Sequence, residues 1–117
     1  MSTLKVDTIK SDTTPTVTIS DGLSVSGVTT STGNVYISDK IIHTGDTDTA
    51  IRFPGSDIFA IETGGTERLR VDSAGLKITD KLIHFGDTDT FLEFGTDTIR
   101  LDTAGSERFR ITSAGKV

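Results

Sequence analysis

Apolar and polar residues alternate in short runs along most of this chain. Ile51 and Phe53 flank Arg52, and Leu69 and Val71 flank Arg70. The same pattern recurs at Phe59/Ile61, Leu92/Phe94, Ile99/Leu101 and Phe109/Ile111. Alternation with a period of two, in segments rich in threonine and β-branched residues, predicts half-buried strands, and no window has helical spacing. We therefore predict an all-β fold of short antiparallel strands and hairpins.

The chain contains a duplication. Residues 39–75 recur with small changes at 80–115, and the segment at 35–38 (VYIS) resembles the segment at 76–79 (LKIT). Residues 115–117 resemble the opening of a third copy. Self-similarity at a period of roughly 40 residues predicts a modular, stacked architecture. We expect an elongated, repeat-built molecule.

The repeats define the predicted domain organisation. Residues 1–32 differ from the rest and are predicted to form an N-terminal attachment segment and linker. Residues 33–75 form the first β repeat, and residues 76–117 form the second repeat with the start of a third. A distinct N-terminal piece ahead of repeats indicates an attachment module followed by a shaft.

The alternation of apolar and polar positions predicts two hairpins and the pairing of residues within them. A register that puts apolar residues on one face also puts opposite charges on the other, and a slip of one residue would exchange the faces. The predicted pairs are Phe94 with Ile99, Glu93 with Arg100 and Leu92 with Leu101 in the second copy, and Phe53 with Phe59 and Arg52 with Ala60 in the first.

The composition limits the size of any hydrophobic core, because few residues are large and apolar. Only 33% of the 117 residues are hydrophobic, tryptophan is absent and 21 residues are threonine. A small chain of this kind has trouble closing a core by itself, and oligomerisation is a usual remedy. We predict that other copies of the chain complete the apolar faces. The predicted interior residues are Ile51, Phe53, Phe59, Ile61, Leu69, Val71, Leu92, Phe94, Ile99, Leu101, Phe109 and Ile111.

Charge and cysteine content exclude several classes of partner. The net charge is −5, with 13 aspartates against 4 glutamates, which argues against nucleic acid or an anionic membrane. No cysteine is available for disulfides or thiolate metal sites. The longest apolar run, Ile58 to Ile61, is too short for a membrane-spanning helix. We expect neither nucleic-acid binding nor membrane insertion.

Two acidic turns are the best metal candidates. Asp46 and Asp48 in the first copy, with Asp87 and Asp89 in the second, provide the oxygen ligands that Ca²⁺ prefers. The further ligands and terminal glutamate of an EF-hand are missing. The alternative is a turn whose carboxylates cap backbone amides, and it is favoured. A carbohydrate- or receptor-binding module assisted by Ca²⁺ remains the second hypothesis, and it predicts stability that falls with a chelator.

His43 and His84 occupy one equivalent position per copy. In a trimer, each would form a ring of three imidazoles if it faced the axis, and imidazole is a common metal ligand. Neither has a neighbouring ligand in the sequence, so a packed or solvent-facing histidine is the favoured interpretation. We predict no metal and no cofactor.

Catalytic patterns are missing from the sequence. It contains no nucleophile elbow, no phosphate-binding loop and no dinucleotide fingerprint, so we predict that the chain is not an enzyme. A fragment of a polysaccharide depolymerase is a third hypothesis and would release reducing sugar. Glu67, Arg68 and Arg70, like Glu107, Arg108 and Arg110, are predicted to form cross-strand or intersubunit ion pairs with aspartates.

The repeat motif resembles a known group of proteins. It reads I-H-x-G-D-T-D-T-x-[IL]-x-F, followed by E/D-T-[AG]-G-x-E-R-[LF]-R-[VI]-x-S-A-G, and the chain opens with STLKVDTI. These features resemble tail-fibre and virion-fibre proteins of marine phages, particularly cyanophages. The resemblance covers residues 33–115 best.

The resemblance implies a structural role and a location. It implies an intertwined homotrimeric fibre on a virus particle, made in the host cytoplasm, with its N-terminus on an adaptor, baseplate or capsid protein and a host-surface glycan as the distal partner. A fibre of a cellular injection system fits the same sequence. The residues expected to attach the fibre to the particle are Leu4, Val6, Ile9, Val17 and Ile19.

Overall fold

The fold is all-β, as the alternating pattern predicts. The computed structural model describes residues 2–10, 12–13 and 16–117, so part of the predicted attachment segment lies outside the described residues. Within these ranges the chain forms nine antiparallel strands and no helix. It follows that no helix in the described part is capable of crossing a membrane.

The strands form two antiparallel sheets with simple up-and-down order. Sheet 1 contains β1 (Lys40–His43), β2 (Asp46–Arg52), β3 (Phe59–Thr63), β4 (Thr66–Asp72) and β5 (Gly75–Ile78). Sheet 2 contains β6 (Lys81–His84), β7 (Asp87–Gly95), β8 (Thr98–Thr103) and β9 (Ser106–Ile111).

The chain divides into a unit of residues 1–35 and a unit of residues 36–117. All nine strands belong to the second unit. The first unit has only bends and irregular backbone at its described positions, and its large apolar side chains are exposed there. Its conformation therefore shows no core of its own among the described residues.

The predicted hairpin registers are confirmed. In sheet 2, Phe94 pairs with Ile99 and Glu93 with Arg100, and the two leucines of the next row pair with each other. In sheet 1, Arg52 pairs with Ala60. Parity succeeds because each register places apolar residues on one face and charged residues on the other.

Two equivalent turns carry backbone in the left-handed region. Gly64 and Gly65, at φ +56° and +68°, connect β3 to β4. Ala104 and Gly105, at φ +50° and +66°, connect β8 to β9. Positive φ at both central residues is the geometry of the two-residue type I′ hairpin, and only Ala104 carries a side chain there.

A β-bulge interrupts the third pairing of each sheet. Glu62 pairs with Glu67 while Ile61 pairs with Leu69, so Arg68 is the extra residue. Sheet 2 has the same irregularity at the equivalent arginine, Arg108. A bulge of this kind shifts side-chain parity along the strand by one residue.

Strand β5 belongs to sheet 1. Its residues come from the segment that sequence comparison places at the start of the second copy. Leu76 pairs with Val71 and Ile78 with Leu69. Just beyond β5, the backbone N–H of Thr79 donates to the carbonyl of Arg68 at 3.1 Å. Sheet 1 thus extends one strand further than sheet 2.

Each sheet has an apolar face and a charged face, as the register rows require. The apolar face of sheet 1 consists of Ile41, Ile51, Phe59, Ile61, Leu69, Val71, Leu76 and Ile78, with Phe53 just beyond β2. The apolar face of sheet 2 consists of Leu82, Leu92, Phe94, Ile99, Leu101, Phe109 and Ile111.

Burial within one chain is slight. Among the described residues, only Ala50 and Ala60 are buried hydrophobic residues, and no large side chain is fully buried. Both alanines lie on the charged face of sheet 1. The small core of a single chain therefore lies under ion pairs and away from the apolar faces.

Candidate functional site

The apolar faces are the most distinctive surface of the described chain. All twelve predicted interior residues lie on them, and none is buried within one chain. Phe94 and Leu101 are each 43% exposed, and Val71 is 42% exposed. On each sheet the half-exposed apolar side chains are grouped in rows on one face, whereas isolated exposed hydrophobic residues are ordinary on any protein surface.

Aromatic and aliphatic side chains are ordered within these faces. The row Ile41, Ile51, Ile61, Leu69 and Ile78 crosses all five strands of sheet 1. On the same face, the rings of Phe53 and Phe59 contact each other. Their centroids are 6.0 Å apart and their planes are tilted by 50°. Such tilted ring pairs favour a fixed arrangement of the face.

The predicted interior list is incomplete. Ile41, Leu76 and Ile78 in sheet 1 and Leu82 in sheet 2 also lie on the apolar faces. Leu76 and Ile78 alternate with Lys77, so the period-two pattern would have identified them. Ile41 is followed by another isoleucine, and no parity signal separates those two residues.

The charged face of sheet 1 is centred on Glu62. Arg52 Nη1 donates to Glu62 Oε1 at 2.8 Å, and Lys40 Nζ donates to Glu62 Oε2 at 3.3 Å. Arg52 also contacts Asp39, with Nε 3.2 Å from Oδ1. The hydrogen bond from Arg52, opposed by desolvation and aided by Lys40, lowers the pKa of Glu62. This network links three segments of sheet 1.

The charged face of sheet 2 carries its acidic and basic residues on different strands from those of sheet 1. Glu93 on β7 replaces Arg52, and Arg100 on β8 replaces Ala60. Arg100 forms an ion pair with Glu93, and Lys81 Nζ lies 3.6 Å from Glu93 Oε2. Lys81 also lies 4.2 Å from the centroid of the Phe91 ring, a cation–π contact at the position where sheet 1 has an alanine.

Within one chain, the arginines of the ERxR segments have partners other than the predicted aspartates, and pairing between subunits stays a prediction. Arg70 pairs with Glu67 of its own strand, Nε to Oε1 at 2.5 Å, and Arg110 pairs with Glu107. Arg68 donates to the hydroxyl of Thr63 at 3.0 Å. The bulge explains the difference, because it brings residues three apart, which would otherwise lie on opposite faces, to the same face. Within one chain, glutamate or threonine is therefore the side-chain partner of these arginines.

The GDTDT segments are held within the hairpins. Asp46 Oδ2 accepts a hydrogen bond from the Thr49 hydroxyl at 2.8 Å, and the Asp48 carbonyl accepts from the Gly65 N–H at 3.0 Å. The interaction between the two carboxyl groups lowers the pKa of Asp46, aided by the Thr49 hydroxyl, and the same interaction raises the pKa of Asp48. The segment therefore fastens the β1–β2 hairpin to the β3–β4 turn.

The second copy repeats this arrangement. Asp87 accepts from the Thr90 hydroxyl at 2.9 Å, and the Asp89 carbonyl accepts from the Gly105 N–H at 3.1 Å. The contact between the two carboxyl groups again lowers the pKa of Asp87 and raises the pKa of Asp89. The repetition supports a local structural role for both segments.

The histidines are at the hairpin edges. His43 Nδ1 lies 3.9 Å from Asp46 Oδ2, and His84 Nδ1 lies 3.8 Å from Asp87 Oδ2. Their side chains are about two-thirds exposed or more, at 71% and 69%. Over residues 2–10, 12–13 and 16–117, no group of three or more histidines and carboxylates forms a cluster that could hold a metal ion.

The comparisons with known proteins give no family. No protein-family model, no curated protein and no solved structure matches this chain. The functional argument therefore depends on the sequence motif and on the geometry of the two sheets.

Stability is expected to fall in acid. The pKa values of Glu62, Glu67, Asp72 and Glu107 are lowered, each chiefly by a hydrogen bond from a lysine or arginine. A group whose pKa is lowered by folding stabilises the fold above its unfolded pKa, and this contribution is lost as the pH falls through its folded pKa. The raised pKa of Asp48 acts in the opposite direction but belongs to a pair with lowered Asp46.

Urea denaturation at several pH values tests this expectation. The midpoint should drop between about pH 6 and about pH 3, and Glu62→Gln should reduce the size of the drop because it removes one titrating group. Glu62→Gln also lowers the midpoint near neutral pH, since Arg52 and Lys40 lose their shared charged partner. Equal midpoints across the pH range would contradict the role assigned to these ion pairs.

Proposed function

We propose that this chain is a structural fibre protein whose two sheets pack through their apolar faces against other copies of the chain. The observation that carries the proposal is the exposure of both apolar faces in one chain, while the buried hydrophobic residues of its described part are only two alanines. Burying apolar surface contributes about 25 cal/mol per Å², so covering these faces would stabilise the assembled chains in proportion to the apolar area removed from water.

A homotrimer is the proposed assembly. Three copies give each apolar face a neighbour and leave the charged faces, which are already paired within the chain, toward solvent. The intertwined, elongated shaft is part of the same proposal. It is supported by the duplicated motif and by its resemblance to phage fibre repeats.

The proposed location is the surface of a virus particle, where the repeats form a projecting shaft for host adsorption. Residues 1–32 would attach the fibre to an adaptor, baseplate or capsid protein. The proposed attachment residues Leu4, Ile9, Val6, Val17 and Ile19 are at least half exposed in the chain, the last two at 50% each. Apolar side chains in an irregular segment are available for a partner's surface.

The side-chain contacts favour a structural role over a catalytic one. The carboxylates Glu62, Glu93, Asp102 and Glu107 are held by arginines or lysines of the same sheet. The Asp46 carboxylate accepts a hydrogen bond from the Thr49 hydroxyl, and the Asp48 carbonyl accepts one from the Gly65 N–H. Side chains engaged in this way hold strands in register.

Light scattering at micromolar concentration tests the assembly. The account predicts a particle of three 12.5 kDa chains. A well-folded monomer would overturn the proposal. Electron microscopy of virus particles that carry a label on residue 2 tests the location, with the label expected at the base of a projecting fibre. A label found only at the free tip would overturn the proposed attachment.

A further inference from the structure

The bulge arginine of sheet 1, Arg68, has no carboxylate partner in the part of the chain that the structure describes. Its Nε donates to the Thr63 hydroxyl at 3.0 Å, and its two terminal nitrogens make no hydrogen bond there. Arg108 repeats the arrangement with the Thr103 hydroxyl at 2.7 Å. The remaining lysines and arginines of the nine strands all form salt bridges with carboxylates, and they are Lys40, Arg52, Arg70, Lys77, Lys81, Arg100 and Arg110. A guanidinium without a counter-charge is a candidate binding group for an anion.

Arg68 is held at both ends. The N–H of Thr79 donates to the Arg68 carbonyl at 3.1 Å, and the Thr79 hydroxyl donates to the same oxygen at 3.3 Å. The Thr63 hydroxyl holds the other end of the residue, the guanidinium. Ordering a long side chain in advance reduces the entropy that binding would cost. The free nitrogens of Arg68 are therefore positioned before any ligand arrives.

A cleft of about 250 Å³ lies beside this guanidinium, where sheet 1 connects to sheet 2. Strand β4 contributes Arg68 to its wall, and β6 contributes two residues. The full lining is Arg68, Thr79, Asp80, Lys81 and Ile83. Sites for drug-sized ligands have volumes of about 300 Å³ or more, so this cleft suits a smaller group.

The charges of the cleft suit a ligand with a single negative charge. Arg68 and Lys81 are cations, and Asp80 is an anion. Lys81 is already shared, because its Nζ lies 3.6 Å from Glu93 Oε2 and 4.2 Å from the centroid of the Phe91 ring. The positive charge left for a ligand is therefore mainly that of Arg68. A doubly charged anion would carry one uncompensated charge close to Asp80, which opposes its binding.

We propose that this cleft binds a carboxylate group. The planar guanidinium of Arg68 presents parallel N–H donors that match the two oxygens of a carboxylate. Ile83 is 51% exposed and offers apolar surface to the carbon atoms next to the carboxylate. A small carboxylic acid and an acidic side chain of another copy share this chemistry, and both are sources that fit.

The site is separate from the proposed trimer contacts. Lys81 pairs with Glu93 and Ile83 pairs with Phe91, so both lining residues of β6 belong to the charged face of sheet 2. The proposed trimer uses the apolar faces and leaves this face toward solvent. Carboxylate binding and trimer formation therefore stand or fall separately.

A titration of the wild-type chain with sodium propionate tests the site, followed by NMR at constant ionic strength. The signals of the Arg68 Nε–H and of the amides of residues 79–81 should shift and reach saturation. Sulfate should bind more weakly than propionate because of its second charge. Shifts that do not saturate, or equal shifts with chloride, would overturn the proposal, and this arm requires no variant to fold.

Two matched glutamine variants identify the binding group. Arg68→Gln should weaken propionate binding at least about tenfold, since a charge-assisted hydrogen-bond pair is lost. Arg108→Gln removes the same charge and an equivalent threonine contact away from this cleft, so it should bind propionate as the wild type does. Asp80→Asn should tighten binding about threefold, because it removes a nearby like charge. Equal affinities for the two glutamine variants, or weaker binding by Asp80→Asn, would contradict the assignment.

A dilution series without added acid distinguishes the two sources of the carboxylate. If another copy supplies it, the Arg68 Nε–H signal should shift as the chain is concentrated, and propionate should compete with that shift. If a small acid is the ligand, the signal should be independent of chain concentration. Saturable binding of propionate is required in both cases, so its absence would overturn the proposal whichever result the dilution gives.

Discussion

Ile41→Glu is expected to convert the proposed trimer into monomers, whereas Ile42→Glu should leave the trimer intact. The two isoleucines are neighbours on β1 and are similarly exposed in one chain, at 51% and 47%. Ile41 pairs with Ile51 on the apolar face, and Ile42 pairs with Ala50 on the charged face. Comparing the two variants therefore separates the effect of the face that carries the glutamate from the effect of replacing an isoleucine by glutamate.

The expected effect is large because a carboxylate on the apolar face would be buried against another copy. An unpaired polar or charged group in an apolar interface costs at least about 3 kcal/mol per chain. Since 1.4 kcal/mol is about a factor of ten in an equilibrium constant, three substituted chains lower the trimerisation constant roughly a millionfold. Ile42→Glu places its charge among ion pairs at a surface.

Light scattering and circular dichroism measure both variants at the same micromolar concentration. Loss of the trimer in Ile41→Glu with retention in Ile42→Glu supports the assignment of the faces. Equal masses for the two variants would contradict it. The matched neighbours in sheet 2, Leu82 on the apolar face and Ile83 on the charged face, repeat the test independently.

Exchanging the turn residues of the two copies should change stability in opposite directions. Ala104→Gly should raise the free energy of unfolding, and Gly64→Ala should lower it, each by about 1 kcal/mol per chain. Both positions have positive φ, at +50° and +56°. A methyl group added at Gly64 would meet nothing within 4 Å, so the backbone conformation alone determines the change.

Urea denaturation at fixed protein concentration measures both changes. Alanine lowers the entropy of the unfolded chain, which offsets part of the cost at Gly64 and part of the gain at Ala104. The two effects should therefore be similar in size and opposite in sign. A Gly64→Ala variant as stable as the wild type would show that these turns do not hold the left-handed conformation.

Much of the fold could be predicted because the register that aligns the apolar residues on one face also pairs opposite charges on the other face. Glu93 opposite Arg100 and Arg52 opposite Ala60 follow from a two-residue period once each loop length is set. The predicted interior residues share the apolar faces for the same reason. Where two apolar residues are adjacent, as at Ile41 and Ile42, the two-residue period does not show which of them lies on the apolar face. Only the pairing register in the structure shows it.

Other features depend on backbone geometry that composition does not encode. The bulge at Arg68 changes which side chains share a face, so the partner of Arg70 is Glu67 rather than an aspartate. The pairing of β5 with β4 likewise crosses the boundary between the two sequence copies. The repeat in the sequence and the sheet in space therefore have different limits.

An experimental structure of the assembled chain tests the central claim most directly. The account predicts three chains whose apolar faces are turned toward one another, with Ile51 and Leu92 buried by neighbouring copies and the ion pairs around Glu62 and Glu93 facing solvent. A single chain with both apolar faces exposed to water, or an assembly joined through the charged faces, would contradict it.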